Sequence, residues 1–243
     1  MSGPSISRGA DGRLFLRHGP IELIIEMLGP AAEVALAQAQ ACRYFDGLLD
    51  RLVKELPLLR RPLGAAYPMF RDPVARAMAR AVWPHRDEYI TPMAAVAGAV
   101  ADGVLAASVQ GCDLVRGYVN NGGDLAFFLA PGASLDAGVV ADLDQGELAG
   151  RVHLKHAMAA RGIATSGWRG RSHSRGIADA VTVLAATAAL ADAAATMIAN
   201  RVDIDYPGIE RVPANSLDPD SDLGDLAVTV AVAPLPLGVR RAA

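Results

Sequence analysis

The spacing of apolar and polar positions changes several times along the chain, and each change predicts an element. Residues 13–28 alternate as two strands around a His-Gly-Pro turn. An Ala- and Leu-rich helix is predicted to start at Pro30 and run to about Leu56, with prolines after its end. A short helix is predicted over Pro73–Val82. The first third of the chain therefore reads as a strand pair followed by helices.

The second part of the chain alternates strand signals with two long stretches of small residues. Thr91-Pro92 is typical of an N-cap followed by proline at the first helical position, and it predicts a helix over 93–109. A second long small-residue helix is predicted over about 178–202, and residues 226–233 read as a β-like tail. Further strands are predicted at residues 115–119, 124–129, about 149–156 and about 161–166.

The order of these elements predicts the fold class. Hairpin signals favour antiparallel pairing, and long helices alternate with the strand pairs. We therefore expect an α+β fold in which a mainly antiparallel sheet carries long helices on one face. Residues 1–243 are expected to form one domain, and the element order hints at two related halves, about 10–90 and 91–243.

Composition narrows the class of protein. The chain has 243 residues, 52% of them hydrophobic, and a formal net charge of -3, which argues against nucleic-acid binding through phosphate neutralisation. Cys42 and Cys112 form no disulfide framework and no C-x-x-C pair, which fits a reducing compartment. Small apolar residues on both long helices permit packing into a homodimer.

No segment of the sequence predicts membrane insertion or secretion. Residues 1–17 carry charges but no apolar core of a signal peptide. The apolar run 93–110 contains Asp102, is mostly Ala and Gly, and is short for a membrane span. A buried helix and a cytoplasmic protein are the resulting expectations.

The turn between the strands at 115–119 and 124–129 is the most informative segment. Its residues are Asn120-Asn121-Gly122-Gly123-Asp124, and Asn-Gly is a strong hairpin signal because both positions tolerate positive φ. A hairpin alone would explain the turn. A hairpin does not require Gly123 and Asp124. The glycine leaves space beside the backbone where a ligand can approach, and the aspartate places a carboxylate next to that space.

Two other segments carry candidate chemistry. Asp192 and Thr196 lie four residues apart on the predicted helix, in apolar surroundings, and so share one face. A carboxylate and a hydroxyl there suit Mg²⁺, whereas the alternative is a salt bridge or an exposed helix edge. The segment 164–175 holds three arginines, a histidine and several hydroxyls, so it suits phosphate or carboxylate groups, or it is a solvated basic loop.

Several standard sites are absent or poorly matched. There is no P-loop, no G-x-G-x-x-G after a strand and no H-E-x-x-H. His153 and His156 are three apart on a predicted strand, so they would face opposite sides and make a poor metal pair. Residues 218–225 echo the start of a calcium loop, but their glycine falls one position late, and an acidic surface loop is favoured.

Taken in order, the motifs resemble those of the ApbE-like superfamily. They are Asn-x-Gly-Gly-Asp at 120–124, Ala-Thr-Ser-Gly at 164–167, a loop with His173, Val-Thr-Val at 181–183, and Ala-Asp-Ala-x-x-Thr at 191–196. The chain looks closest to an uncharacterised, shorter branch, recognisable also by its segment 85–98. Characterised members are magnesium-dependent FAD:protein FMN transferases, which cleave the FAD pyrophosphate and attach FMN to a Thr or Ser of a target protein.

The resemblance implies an ApbE-like, T-fold-like architecture and a role for each matching residue. Asp192 and Thr196 would be the Mg²⁺ ligands, and His173 the histidine near the phosphates. A pocket for FAD or FMN would be lined by two motifs and a basic side chain, namely Asn120, Asn121, Gly122, Gly123, Asp124, Thr165, Ser166, Gly167 and Arg171. An acceptor protein is the implied partner.

The chain departs from the transferases in one charged position. They usually carry Gly-Ile-Ala-Lys-Gly-Tyr-Ala before the turn, and alignment of the segment before the turn puts Ala97 where the lysine stands. The extended loop that usually follows the histidine is also missing. The expected function is a magnesium-dependent enzyme on a flavin nucleotide, with two alternatives: a non-catalytic flavin or nucleotide binder, or an enzyme on a pterin-like or other ligand.

Overall fold

The computed structural model describes residues 3–142 and 147–243. Its strands are β1 (Ser5–Arg8), β2 (Leu14–His18), β3 (Ile21–Leu28), β4 (Arg116–Asn121), β5 (Asp124–Leu129), β6 (Ser134–Asp142), β7 (Glu147–Lys155), β8 (Gly162–Ser166), β9 (Val181–Ala185), β10 (Ile209–Pro213) and β11 (Ala227–Val232). Its helices are α1 (Ala31–Phe45), α2 (Leu48–Leu59), α3 (Pro73–Val82), α4 (Val96–Val109), α5 (Ala188–Arg201), α6 (Ala214–Leu217) and α7 (Leu237–Ala242).

Seven strands form the main sheet in the order β1-β2-β3-β4-β5-β8-β9. Every neighbouring pair is antiparallel, which confirms the α+β prediction. The hairpins β6–β7 and β10–β11 form separate two-stranded sheets. Because β4 pairs with β3, one sheet joins strands from both of the halves suggested by the element order.

Small residues let the helices approach the main sheet closely on one face. Helix α4 packs against α1, α5, β4 and β5, and α5 packs against β8 and β9. A Cβ atom added at Gly98 or at Gly162 would overlap backbone atoms of Ala188, at the start of α5. The glycines of α4 and β8 at these positions therefore follow from close backbone contact with the start of α5.

Two carboxylates tie α4 and α5 together at their N-terminal ends. The Asp102 side chain on α4 accepts hydrogen bonds from the backbone N–H groups of Ala188 (3.0 Å) and Ala189 (2.9 Å) on α5. In return, the Asp192 side chain on α5 accepts from the backbone N–H of Gly98 on α4, at 3.1 Å. Each helix thus satisfies N–H groups that the first turn of the other leaves unpaired.

The opposite face of the sheet is covered by the β6–β7 hairpin. Leu135 and Leu154 of the hairpin form a buried cluster with Phe127 and Leu129 of β5 and with Ile163 of β8. The period of two along β5 explains this second core, because Ala126 and Phe128 face the helices while Phe127 and Leu129 face the hairpin. Strand β6 was not predicted from the sequence.

The structure corrects two predicted helices. The helix expected to run from Pro30 to about Leu56 is two helices, α1 and α2, because Gly47 adopts a left-handed φ of 67° between them; Pro57 lies inside α2. The segment 178–202 is not a single helix, since Val181-Thr182-Val183 lies in strand β9 and α5 begins only at Ala188. β-Branched residues favour extended structure at that position.

The predicted short helix and small-residue helix are confirmed. Asp72 caps α3, its side chain accepting from the N–H groups of Val74 and Ala75. The Thr91 hydroxyl accepts from the N–H of Met93, and a 3₁₀ turn, Pro92–Ala95, leads into α4. The stretch Pro92–Val109 is long and apolar enough to cross a membrane, and half of it is buried inside the protein, as in a core helix.

Candidate functional site

A cavity of about 670 Å³ lies between the main sheet and the β6–β7 hairpin. Its floor comes from β4, β5, β8 and β9, and its roof from Leu135–Val139 of β6. Of the residues predicted to bind a nucleotide, those that line it are Asn120, Gly122, Gly123, Thr165, Ser166, Gly167 and Arg171. The structure therefore brings together two motifs and an arginine that are far apart in sequence.

The glycine turn forms one end of this cavity. Asn121 and Asp124 face each other across the β4–β5 ladder, so the two turn residues are Gly122 and Gly123, at φ 65° and 118°. The Asn120 side chain accepts a hydrogen bond from the Gly123 N–H at 2.9 Å. The predicted hairpin is confirmed, but both positive-φ positions are glycines and Asn121 belongs to the strand.

The pleat of the sheet divides the predicted turn motif between its two faces. Asn120 lines the cavity, whereas Asn121 and Asp124 are each only 8% exposed and face the helices. The Asn121 amide donates to the Ala97 carbonyl of α4 at 3.1 Å. Alternation along a strand requires this separation of neighbouring residues.

Asp124 and Asp192 meet on the helix side of the sheet. Their carboxyl groups are hydrogen-bonded to each other, and Asp124 also accepts from the backbone N–H of Thr165 at 3.3 Å. Strand β5 begins at Asp124 while β8 runs on to Ser166, so this carboxylate takes up an N–H beyond the β5–β8 ladder. No cationic side chain pairs with either carboxylate in the described part of the chain.

Both carboxyl groups bind protons more tightly than usual. Burial raises the pKa of Asp124 to about 7, although the Thr165 N–H opposes this shift. Burial, and then the charge of Asp124, raises the pKa of Asp192 well above its ordinary value. Two close carboxylates in an apolar setting cannot both be charged without a counter-cation, so the pair holds a proton near neutral pH when no cation is bound.

This proton predicts an unusual dependence of stability on pH. The folded pKa of Asp124 lies above its ordinary value of 3.8, so its stabilising effect is complete below pH 3.8 and is lost as the pH rises through about 7. We expect the free energy of unfolding in EDTA to fall by about 3 kcal/mol between pH 5 and pH 8. Urea denaturation across that range measures it.

The double variant Asp124→Asn/Asp192→Asn provides the comparison for this pH profile. It keeps the size of both side chains and removes both ionisable groups. Its stability should be nearly flat over the same interval. A wild-type stability that rose from pH 5 to pH 8 would contradict the assignment of a shared proton.

Thr196 follows Asp192 by one helical turn, on the same face of α5, and is half-buried. Its hydroxyl makes no hydrogen bond to the residues that the structure describes. Within the same described ranges, no cluster of three or more His, Cys, Asp and Glu residues is present. Any cation at the carboxylate pair would therefore rely on two carboxylates supplemented by hydroxyl, carbonyl or water oxygens.

The loop after β8 supplies guanidinium groups to the cavity. Arg169 pairs with Asp179 at 2.8 Å and lies over the Trp168 ring. Arg171 lies beside the glycine turn: a Cβ atom added at Gly122 would be 3.4 Å from its Nη1. Within the described residues, Arg171 makes no hydrogen bond or ion pair, so its donors are available to a ligand.

His173 is placed apart from the cavity. It is exposed, and it is not among the residues that line the cavity wall. Its neighbour Ser174 is buried and hydrogen-bonds to Asn200 instead. The prediction that His173 acts near phosphates remains a prediction, two residues from Arg171 on the same loop.

The remaining residues considered in the sequence analysis do not line the cavity. The histidines and the acidic loop among them form hydrogen bonds with other residues of the protein. His153 hydrogen-bonds to Asp136 at 2.7 Å, and His156 to the Leu129 carbonyl at 2.6 Å. Cys42 and Cys112 are free and partly buried. In the 218–225 loop, Asp222 accepts hydrogen bonds from the hydroxyl groups of Tyr89 and Thr91.

Sequence reasoning missed the part of the cavity formed by the first strands. The polar lining residues that it missed include Arg13, Glu26, Arg116, Tyr118 and Asp179, whereas Arg169 and Thr182 lie in the predicted segments 164–175 and 181–183. Arg116 and Tyr118 precede Asn120 at intervals of two, so the period of a strand could have placed them on its face. Arg13 and Glu26 pair at 3.2 Å, and the Thr165 and Thr182 hydroxyls at 2.8 Å.

Comparison with known proteins gives consistent matches across nearly the whole chain. A family model described as AbpE bacteria matches residues 5–243. A UPF0280 protein of Methanopyrus kandleri is 33% identical over 212 residues, which are 86% of this chain and 83% of that protein. A UPF0280 protein of Methanosphaerula palustris is 35% identical over 165 residues, 66% and 65% of the two chains. These names state no activity.

Proposed function

The chain belongs to the AbpE bacteria family, an ApbE-related family, and from that membership we propose that it is a magnesium-dependent enzyme acting on a flavin nucleotide. One observation carries the proposal: the same turn contributes both to the wall of the cavity and to the carboxylate pair. Gly122 and Gly123 line the large cavity, while the next residue, Asp124, hydrogen-bonds to Asp192 on the other face of the sheet. A ligand site and a candidate cation site thus share adjacent residues.

The carboxylate pair fits a hard divalent cation. Asp124 and Asp192 offer carboxylate oxygens as metal ligands, and burial removes these groups from water. No cationic side chain in the described residues offsets their charge. Together with the Thr196 hydroxyl they would hold Mg²⁺. When bound, Mg²⁺ supplies charge neutralisation to phosphate oxygens.

The cavity fits a nucleotide by size and by the distribution of its polar groups. Its volume of about 670 Å³ lies within the range of small-molecule and cofactor sites. Leu125, Leu135 and Ile163 provide apolar walls for a ring system. Arg171 beside the glycine turn makes no hydrogen bond or ion pair to the described residues, so its fork can bind a phosphate, and the turn lets its backbone approach the ligand.

For the reaction itself, we propose cleavage of the FAD pyrophosphate. A hydroxyl group of an acceptor, or water, would attack the phosphorus on the FMN side, and AMP would leave with the bridging oxygen. Arg171 would stabilise charge on the transferred phosphate. His173 is the candidate to accept the proton of the attacking hydroxyl.

The test is incubation of the purified protein with FAD and MgCl₂. We expect release of AMP, measured by chromatography, with FMN either free or attached to an acceptor protein and visible by in-gel fluorescence. EDTA should stop the release. Absence of AMP together with absence of FAD binding by calorimetry would overturn the proposal.

A second candidate function is flavin binding without turnover. Ala97 stands where the resembled transferases carry a lysine, and its carbonyl is occupied by the Asn121 amide. The region therefore lacks the cation that this position provides in those enzymes. Tight FAD or FMN binding with no AMP release, in the presence of Mg²⁺, would favour this candidate.

A further inference from the structure

A second cavity, of about 350 Å³, lies at the C-terminal end of α5. It is formed where Asn200 and Arg201 of α5 meet Arg175, Arg211 of β10, and the Glu88-Tyr89 segment before α4. It shares no lining residue with the large cavity. It is therefore a separate site with its own chemistry.

Three arginines from separate parts of the chain converge on this small space. Arg201 binds Glu88 through two hydrogen bonds, at 2.9 and 2.5 Å, and Arg211 pairs with Asp203. Arg175 has no hydrogen bond or ion pair from its guanidinium to any described residue. Three guanidiniums thus face two carboxylates, which leaves one positive charge in a chain whose formal net charge is -3.

Neutral donors and a fixed backbone complete the site. The Asn200 side-chain oxygen accepts from the backbone N–H of Arg175 at 2.9 Å, and the Asn200 amide nitrogen makes no hydrogen bond to the described residues, so it can donate to a ligand. The neighbouring backbone is held by the Ile177 N–H on the Val202 carbonyl and the Thr229 N–H on the Ser174 carbonyl, both at 2.8 Å. The segment that carries Arg175 is therefore fixed before any ligand binds.

We propose that this second cavity binds a phosphate group. The planar fork of Arg175 matches two phosphate oxygens, and Arg201, Arg211 and Asn200 each retain N–H groups beyond their present partners. Two paired carboxylates limit the site to a ligand of small negative charge. The volume accommodates inorganic phosphate or a small phosphomonoester.

The experiment is a calorimetric titration of the full chain with inorganic phosphate at low ionic strength. We expect Arg175→Ala to weaken binding at least tenfold, because it removes the guanidinium that makes no hydrogen bond or ion pair to the described residues. Glu88→Gln removes a competing negative charge and releases Arg201, so it should tighten binding about threefold or more. Arg240→Ala, an exposed arginine on α7, is the matched control and should bind as wild type does.

A parallel titration with glycerol 3-phosphate separates two sources of the phosphate group. Tighter binding of the ester assigns the site to phosphomonoesters, and tighter binding of the inorganic ion assigns it to free phosphate. Unchanged affinity in a folded Arg175→Ala protein would overturn the proposal. Loss of binding on Arg171→Ala alone would also overturn it, because the phosphate would then occupy the large cavity.

Discussion

Replacement of Asp192 by asparagine is expected to reduce Mg²⁺-dependent FAD cleavage at least a hundredfold. The substitution keeps the side-chain size and an oxygen that can accept from Gly98 N–H, but it removes half of the charge that would hold the cation. A loss of this size corresponds to about 3 kcal/mol or more of transition-state stabilisation. Steady-state AMP release, measured across MgCl₂ concentrations, provides the comparison with wild type.

Stability measurements distinguish this loss of function from unfolding. Because burial disfavours the charged form of Asp192, Asp192→Asn should be more stable than wild type at pH 8 in EDTA. Its melting temperature should also stop responding to MgCl₂. A variant that unfolded below the assay temperature would show the opposite and would point to a structural role.

Asp102→Asn is the matched control on the neighbouring helix. Asp102 is a half-buried carboxylate whose pKa burial also raises, but both of its oxygens accept N–H groups at the start of α5. The introduced amide can accept only one of them, so stability should fall by about 1–2 kcal/mol while FAD cleavage is retained. Equal loss of activity in both variants would remove the special role of Asp192.

Gly162→Ala is expected to cause the largest loss of stability. The added Cβ would overlap the backbone N and Cα atoms of Ala188, where β8 touches the start of α5. These backbone atoms cannot rotate away as a side chain could, because the Asp102 carboxylate fixes this end of the helix. We expect the free energy of unfolding to fall by about 3 kcal/mol, with a drop in Tm of about 6–12 °C.

Gly64→Ala is the control for this glycine substitution. Gly64 is exposed, and an added Cβ there would meet no atom within 4 Å. Its stability should stay within about 0.5 kcal/mol of wild type. Similar melting temperatures for the two variants would show that α5 can move away from the sheet without penalty.

Local signals in the sequence predicted much of the fold. The His-Gly-Pro turn between β2 and β3, Pro73 at the start of α3 and the Thr91-Pro92 cap all act within a few residues. Errors arose where a local signal competed with context. The alanine content of segment 178–202 predicts one helix, but Val181-Thr182-Val183 lies in strand β9 and the helix begins only at Ala188.

The candidate site was predicted as a set of residues but not as an arrangement. Asn120 and Asp124 were expected to line one pocket, whereas the pleat places them on opposite faces of the sheet. The meeting of Asp124 with Asp192 depends on how α5 packs over β8, which no short-range pattern encodes. The roof strand β6 escaped prediction because its contribution comes from packing across the cavity.

The separate pairing of the β6–β7 hairpin has a consequence for substitutions along the cavity roof. The cavity roof, Leu135–Val139, belongs to a two-stranded sheet that does not pair with the seven-stranded one. Changes of side chain along this roof can alter the width and polarity of the cavity while every ladder of the main sheet keeps its register. The fold thus separates the side chains that shape the cavity roof from the hydrogen-bonded ladders that hold the main sheet together, so either set can be altered without the other.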